Sequence, residues 1–463
     1  MERKNAWAAY AEDDSRVEAF AKAYCDFINN GKTERECVAY GEKLAKAHGF
    51  EDLNAVIRSG RKLEAGARVY VNWMGKSFML FVLGAKPLEE GMNILGAHID
   101  SPRIDVKQNP LYEDGDLAYL DTHYYGGIKK YQWVAMPLAL HGVIIKKNGE
   151  KVPVNIGEDE NDPVFCISDL LIHLAQEQMA KNAKDVVEGE ALNLIVGGRP
   201  LAGEEKDAVK ANVLKLLDDK YGVEEEDFLS AELEIVPAGK ARDMGFDRSM
   251  ILGYGHDDRV CAYPSMMAVL DYEGTPDYTL CCIITDKEEI GSVGATGMAS
   301  HYLENTVAEL YACTADYCEL AVRRCLRNSR MLSSDVSAGY DPNFASAFEK
   351  KNSAFLGRGI CFNKFTGSRG KSGSNDANPE FMASLRKIMD DAGVAFQTAE
   401  LGRVDLGGGG TIAYLCAKYG MNVIDSGIPV LSMHAPYEVI SKVDLYEGYR
   451  GYCAFLQGAK PVE

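Results

Sequence analysis

The sequence has little of what marks a secreted, membrane-spanning or nucleic-acid-binding protein. Its twelve cysteines include no CxxC pair, so neither a zinc knuckle nor a redox motif is indicated. The amino terminus, MERKNAWAAYAEDDSR, lacks the apolar core of a signal peptide, and no apolar run approaches the ~20 residues of a membrane span. With 50 Lys and Arg against 69 Asp and Glu, the net charge of -19 argues against nucleic acid or an anionic membrane as a partner. We therefore expect free thiols and a cytoplasmic protein.

The length and the order of predicted elements indicate more than one domain. A chain of 463 residues exceeds one ordinary core, and about 150 residues per domain gives two or three domains. Strands and helices alternate over residues 1–102 and again over 249–463, whereas 103–248 is typical of turn-rich β-structure with an amphipathic helix at 167–181. We predict an α/β fold, with a doubly wound mixed-sheet domain built from both ends of the chain and an inserted β-rich domain.

One predicted strand ends abruptly in an acidic cluster. In YTLCCIITDKEEIGS, residues 278–292, an apolar run is followed by Asp286, Lys287, Glu288 and Glu289. Adjacent carboxylates at the end of a buried strand repel each other and lose solvation, so a lysine, an arginine or a metal ion has to compensate them. For an isolated Glu-Glu pair, the alternative interpretation is a solvated acidic turn.

Other potential metal ligands follow other predicted strands. His98 comes directly after the strand at 92–97, and a nearby carboxylate such as Asp100 can fix the tautomer of a histidine whose other ring nitrogen binds a metal. In doubly wound sheets, ligands gather at the carboxyl ends of the strands. Asp257 is interpreted as a helix cap without a metal role. The residues at such strand ends that we predict as ligands are His98, Asp258, Glu289, Asp335 and His434.

This set of side chains suits two divalent cations. One carboxylate shared as a bridge leaves each ion two further protein ligands and open positions for water and substrate. Zinc fits best, and manganese or cobalt also fit because mixed nitrogen and oxygen ligation does not select sharply among these metals. A structural or storage zinc site predicts four closed ligands, usually cysteines, which this carboxylate-rich set does not match.

Several motifs in this chain occur together in a fixed order. They are AHIDSPRIDVK, DDR at 257–259, DKEEIGS, SSDVSAGYDPN and SMHAPYE. In this order they closely resemble the aspartyl aminopeptidase family of dinuclear-zinc metallopeptidases, and the resemblance covers nearly the whole chain. It implies a metalloaminopeptidase that removes the amino-terminal residue of peptides, with acidic residues as the family preference. The catalytic domain would comprise residues 1–102 and 249–463.

The resemblance also implies a role for each candidate residue. Asp258 would bridge the two metals, with His98 and Asp335 completing one site and Glu289 and His434 the other. Glu288 would be the general base that takes a proton from the metal-bound water and later gives it to the leaving amine. Asp100 would orient His98 without binding metal.

The resemblance gives the inserted domain, residues 103–248, a role in assembly. In the family this domain mediates dimerisation, dimers build a dodecamer, and a helix histidine reaches into the active site of the neighbouring subunit. His173, in DLLIHLAQ, matches that position. A surface or interface histidine on an amphipathic helix is the alternative. We therefore expect a homo-oligomer that acts on peptides, with no nucleic-acid or membrane partner.

Two segments depart from the family pattern where specificity is concerned. CFNKFTGSRGKSGSNDAN contains Lys364, Arg369 and Lys371 in place of an asparagine-glutamine-arginine-tyrosine pattern, so these cations either bind an acidic side chain or form a solvated basic loop. GGGGTI, at 407–412, keeps the family's Thr-Ile, and its glycines could bring backbone N–H groups close to the substrate or serve a tight turn into a helix. The rival functions are an aminopeptidase for neutral or basic amino termini and a non-catalytic binding or assembly protein.

Overall fold

Apolar runs of period two and amphipathic segments of helical period form the strands and helices of a large α/β protein. In the computed structural model, which describes residues 4–367 and 369–462, the strands in chain order are β1 (Glu51–Asp52), β2 (Arg68–Trp73), β3 (Ser77–Val82), β4 (Met92–His98), β5 (Arg103–Asp114), β6 (Leu117–Tyr125), β7 (Leu138–Ile145), β8 (Lys151–Ile156), β9 (Leu194–Gly197), β10 (Ala231–Pro237), β11 (Arg242–Met244), β12 (Met250–Gly253), β13 (Thr279–Thr285), β14 (Arg330–Ser334), β15 (Ser337–Ala338), β16 (Ile360–Asn363), β17 (Phe396–Thr398), β18 (Asn422–Gly427), β19 (Pro429–Leu431) and β20 (Glu438–Ser441). The helices are α1 (Ser15–Asn30), α2 (Glu34–Ala47), α3 (Leu53–Ser59), α4 (Gln176–Met179), α5 (Ala208–Tyr221), α6 (His256–Leu270), α7 (Tyr302–Thr314), α8 (Glu319–Asn328), α9 (Pro379–Asp391), α10 (Ala413–Ala417) and α11 (Lys442–Gly458).

The chain divides into two units. The first contains the described residues up to Asp100, then Ala241–Met433, and those from Glu438 onward. The second contains Ser101–Lys240 together with His434–Tyr437. The predicted inserted segment, 103–248, therefore differs from the observed one at its end, because β11 belongs to the first unit, where it pairs with β12.

The first unit contains a nine-stranded mixed sheet, which positions the candidate site. The strand order is β1-β2-β3-β13-β4-β14-β18-β16-β17, and the central strands β13, β4, β14 and β18 are mutually parallel. The flanking pairs β3 with β13 and β16 with β18 are antiparallel. A smaller sheet of the same unit has the order β11-β12-β20-β19-β15. The predicted doubly wound α/β fold with a mixed sheet is confirmed.

Two hydrophobic cores cover the two faces of the large sheet. Consecutive residues of β4 and β13 alternate between them, so that Leu95 and Cys282 lie in one core while Ile94 and Cys281 lie in the other. Helices α1, α2, α6, α9 and α11 contribute to the first core, and α3, α7, α8 and α10 to the second. Central strands buried on both faces explain the continuous apolar runs in the sequence.

The second unit is built on a six-stranded antiparallel sheet with the order β8-β7-β10-β5-β6-β9, in keeping with the β-rich prediction. The amphipathic helix predicted over 167–181 is wrong in extent. Only a single 3-10 turn at Ile172–Leu174 and the short α4 form in this segment. Several apolar side chains of this segment remain exposed, so the burial that usually stabilises an amphipathic helix is missing within the chain. Among the helices that the structure describes, none is both long and apolar enough to cross a membrane.

Candidate metal centre

Three neighbouring parallel strands, β13, β4 and β14, end at one edge of the nine-stranded sheet. His98 is the last residue of β4, Glu288 and Glu289 lie in a 3-10 turn shortly after β13, and Asp335 directly follows β14. Because parallel strands run in the same direction, their carboxyl ends bring these residues to a common edge. Residues that are far apart in the sequence thus lie close together at this edge.

Two adjacent aspartates at the beginning of α6 join the cluster. Neither has helical backbone angles, and the peptide bond between them is cis. Oδ1 of Asp257 lies 3.2 Å from Nε2 of His98, whereas Oδ2 of Asp258 accepts a hydrogen bond from the backbone N–H of His98 at 3.4 Å. Asp257, which the sequence predicts as a helix cap without a metal role, thus has one carboxylate oxygen next to the imidazole of His98. Sequence reasoning therefore missed Asp257 as a candidate ligand, although the adjacent aspartate pair was the available signal.

Asp100 connects the histidine to the acidic turn. Nδ1 of His98 lies 3.0 Å from the carbonyl oxygen of Asp100 and 3.2 Å from its Oδ1. The same carboxylate accepts the backbone N–H of Glu288 through Oδ1 and that of Glu289 through Oδ2, each at 3.1 Å. A proton on Nδ1 leaves the lone pair of His98 on Nε2, the nitrogen that faces Asp257. Asp100 therefore fixes both the tautomer of the histidine and the path of the turn.

The first carboxylate of the acidic cluster has cationic partners of its own. Asp286 is fully buried, accepts a hydrogen bond from Oγ1 of Thr296 at 2.6 Å, and lies 3.1 Å from Nζ of Lys287 and 3.9 Å from Nζ of Lys76. Burial raises the pKa of Asp286 to about 6, and the two lysines oppose that rise. The lysines thus compensate Asp286, while a carboxylate oxygen of Glu289 lies near His98.

Burial dominates the ionisation of the cluster. It raises the pKa of Asp258 to about 8, with His98 acting in the opposite direction. Burial, and next the charge of Glu288, raise the pKa of Asp335 well above its usual range. Burial alone would lower the pKa of His98, but its hydrogen bonds to Asp100 and Asp257 outweigh that effect and raise it. So many carboxyl groups around one buried imidazole favour the binding of positive charge.

The donor atoms fit divalent metal ions. One set, His98, Asp258 and Asp335, and a second set, His98, Asp257 and Glu289, each place one ligand atom per residue within 4.8 Å of the others. His98 and Asp258 are fully buried, and Asp257 is only 3% exposed. Such a site, with an imidazole nitrogen and several carboxylate oxygens as buried donors, matches zinc or a similar cation.

The two remaining predicted site residues lie in the second unit. His434 has a positive φ of 65°, and its Nδ1 lies 2.9 Å from the carbonyl oxygen of Gly127. A proton shared with that carbonyl leaves the lone pair on Nε2, as a metal-binding histidine requires. His173 lies in the exposed 3-10 turn at Ile172–Leu174.

Comparison with known proteins gives a consistent family. The profile described as "Aminopeptidase I zinc metalloprotease (M18)" matches residues 27–456. The "Probable M18 family aminopeptidase 1" of Clostridium acetobutylicum is 58% identical over 458 residues, which are 98% of each chain. This similarity extends through both units.

Solved structures agree with the sequence comparison. The crystal structure of an M18 aminopeptidase from Thermotoga maritima superposes with a TM-score of 0.94 at 42% identity, covering 99% of this chain and 100% of that one. The S. cerevisiae mApe1 dodecamer has the same fold, with a TM-score of 0.75 at 21% identity, covering 95% of this chain and 97% of that one.

Proposed function

This chain belongs to the M18 family and is a zinc metalloaminopeptidase, and from that premise we propose how its residues divide the work. The resemblance and the enzyme class predicted from the sequence motifs are confirmed, which removes the non-catalytic alternative. The single observation that carries the proposal is the buried cluster of carboxylates around His98 at the carboxyl edge of the large sheet.

We propose a dinuclear centre whose ligands are His98, Asp257, Glu289, Asp335 and His434. Asp257 replaces the originally predicted Asp258 as the bridge because its Oδ1 faces Nε2 of His98, while Asp258 accepts the backbone N–H of the same residue. Two divalent cations held there, zinc or in its place manganese or cobalt, would lower the pKa of an attacking water and stabilise the charge that develops on the scissile carbonyl.

Glu288 is the proposed general base. It accepts a proton from the attacking water and delivers it to the leaving amine. Its place in the turn supports this role, because Asp100 holds its backbone N–H at 3.1 Å and the neighbouring Glu289 remains available as a ligand. Asp100 is a positioning residue that orients His98 and the base together.

The decisive experiment measures cleavage at defined metal loading. The zinc-, manganese- and cobalt-loaded proteins are assayed with peptides that have free or acetylated amino termini. Cleavage of the free-amino peptides alone, its loss with a chelator and its return with metal are expected. If the fully metallated protein leaves free-amino peptides intact, the proposed function is wrong.

For the substrate we propose a preference for amino-terminal Asp or Glu, with Arg369 as the cation that receives the acidic side chain. Nζ of Lys364 and Nζ of Lys371 lie 3.6 and 2.9 Å from the carboxylate of Asp376, so both lysines already have an acidic partner. Among the residues that the structure describes, Arg369 has no such ion pair. A panel of aminoacyl chromogenic substrates tests this: Arg369→Ala should reduce cleavage of Asp and Glu substrates selectively. Equal or better wild-type cleavage of neutral or basic substrates would favour the rival specificity.

We also propose a homo-oligomer, a dodecamer built from dimers, in which the segment around His173 contacts a second copy. This segment exposes a run of large apolar side chains: Leu170, Leu171, Ile172, Leu174 and Met179. Exposed apolar surface of this extent is typical of a protein–protein interface. Its place beside His173 supports the idea that this histidine completes a neighbouring active site, and the dodecameric mApe1 has the same fold. Dissociated monomers should then hydrolyse substrate poorly.

A cytoplasmic location completes the proposal. All twelve cysteines are free thiols, which suits a reducing compartment. Fractionation of the cells that produce the protein tests this location.

A further inference from the structure

A polar layer lies directly below the metal cluster on the same face of the large sheet. Ser333 of β14 pairs in register with Gly96 of β4 on one side and with Asp425 of β18 on the other. Because side chains alternate along a strand, Ser333 faces the same side as Asp335, and Gly96 the same side as His98. Asp425 thus occupies the floor of the candidate site, one layer deeper than the proposed ligands.

Asp425 is buried and only partly satisfied. It is 1% exposed, and its Oδ1 accepts a hydrogen bond from Oγ1 of Thr411 at 2.5 Å. Among the residues that the structure describes, none makes a hydrogen bond with its buried Oδ2 or with the buried Oγ of Ser333. Burial raises the pKa of Asp425 to about 7, and the charge of Glu288 contributes to that rise. Asp425 thus directs one carboxylate oxygen to Thr411 from its buried position in the polar layer.

Thr411 ends the four-glycine turn, Gly407 to Gly410. The N–H of Gly407 donates to the carbonyl of Arg403 at 2.7 Å, and that of Gly409 donates to the carbonyl of Thr366 at 3.1 Å. Within the described part of the chain, no acceptor receives the N–H of Gly408 or that of Gly410. Every second N–H group of the turn is therefore available to bind a ligand. Because glycine has little preference for one backbone conformation, the four-glycine segment does not fix the direction of these N–H groups by itself.

We propose that the Asp425–Thr411 hydrogen bond anchors the four-glycine turn to the polar layer below the metal cluster, so that the N–H groups of Gly408 and Gly410 bind the backbone carbonyl of the substrate. Asp425 and Thr411 are positioning residues. This inference rests on the aminopeptidase function proposed above. Four consecutive glycines need an external anchor to present N–H groups in one arrangement, and the hydrogen bond from Thr411 to Asp425 supplies it.

The test compares Thr411→Val, Thr411→Ser and Asp425→Asn in the metal-loaded protein. Thr411→Val and Asp425→Asn should lower kcat/KM by about 10- to 100-fold through both a higher KM and a lower kcat, at unchanged metal content. Thr411→Ser, which keeps the hydroxyl, should recover activity to within a few-fold of the wild type.

Two control variants separate positioning from stability. In Thr314→Val the same substitution removes a hydroxyl that donates to the carbonyl of Tyr311 at 2.9 Å, and kinetics should not change. In Asp444→Asn the lost carboxylate also anchors a glycine segment, accepting the N–H groups of Gly357 and Gly359 at 2.6 Å each. That variant should lower Tm while keeping kcat/KM.

Two results would overturn the inference while the wild type remains active. One is wild-type kinetics in a folded Thr411→Val protein. The other is a parallel loss of Tm and metal that Thr411→Ser fails to correct, which would assign the residue a structural role. If the fully metallated wild type does not cleave free-amino peptides, the proposed function is wrong, and this inference is wrong with it.

Discussion

In the first unit, charged side chains are buried at the carboxyl edge of the large sheet, whereas in the second unit large apolar side chains around His173 face solvent. Both arrangements are costly within a single chain. Buried carboxylates lose hydration, and exposed apolar groups keep water ordered around them. The proposed ligands would offset each cost, a pair of cations in the first unit and a second copy of the chain in the second.

The two groups of residues differ in how firmly the rest of the chain holds them in place. The cluster is held by hydrogen bonds, with Asp100 fixing His98 and the backbone of Glu288. The apolar segment forms only a 3-10 turn and the four-residue helix α4. A catalytic centre must be positioned before its ligand arrives, while an interface segment can gain order from its partner.

The largest effect is expected from removing the proposed base. Glu288→Gln keeps the size of the side chain but cannot accept the proton, so kcat should fall about 10³-fold while metal content and Tm stay close to wild type. Steady-state kinetics together with metal analysis check this. The matched variant Glu289→Gln should lose metal as well as activity. Unchanged kinetics in Glu288→Gln would contradict the assignment of the base.

Next in size, two neighbouring substitutions sharpen the account of the cluster. Asp257→Asn removes the proposed bridge and should weaken metal binding at least about tenfold more than Asp258→Asn, whose carboxylate accepts a backbone N–H. Competition with a chromogenic chelator measures both affinities. The reverse order would return the bridge to Asp258, as the sequence motifs first indicated.

Introducing acidic residues into the apolar segment should lower the mass of the oligomer strongly and the activity to a smaller extent. In Leu171→Asp/Ile172→Asp, carboxylates replace side chains that are 54% and 69% exposed, so the second unit keeps its fold while the contact with another copy is lost. Light scattering should show a lower mass, with a several-fold lower kcat. Leu229→Asp, at a similarly exposed leucine elsewhere in the second unit, is the control. Wild-type mass in the double variant would contradict the interface.

The smallest effect concerns a buried carboxylate outside the cluster. Burial raises the pKa of Asp444 to about 7, above the ~3.9 of an unfolded aspartate. This group therefore contributes stability that is complete below about pH 4 and is lost as the pH rises through 7. Asp444→Asn should flatten the decline in Tm between pH 5 and 7.5 by a few degrees, with or without zinc. An unchanged slope would show that the carboxyl does not titrate in that window.

Much of the first unit follows from local pattern. The strand predicted at 92–97 is β4, and the apolar run predicted to end before Asp286 is β13. Apolar runs that end in polar motifs identify the strands and their carboxyl ends. The parallel order of the sheet then gathers those ends, which brings His98, Glu289 and Asp335 into neighbouring positions.

Finer choices depend on geometry that the sequence does not contain. Asp257 and Asp258 have the same chemistry, and only the backbone at the beginning of α6 decides which of them faces Nε2 of His98. The apolar period at 167–181 predicts a helix, yet helix formation there needs a surface to pack against. The pairing of Lys364 and Lys371 with Asp376 likewise became visible only when the loop was folded.

The position of Asp100 has a consequence for any attempt to redesign this enzyme. One carboxylate holds the ring of His98 and the backbone of both Glu288 and Glu289. A displacement of this side chain would therefore move a proposed metal ligand and the proposed base in the same step. In the proposed site, metal binding by His98 and proton transfer by Glu288 both depend on Asp100, so we expect selection for a different metal to change the pH profile of turnover even when no ligand is replaced.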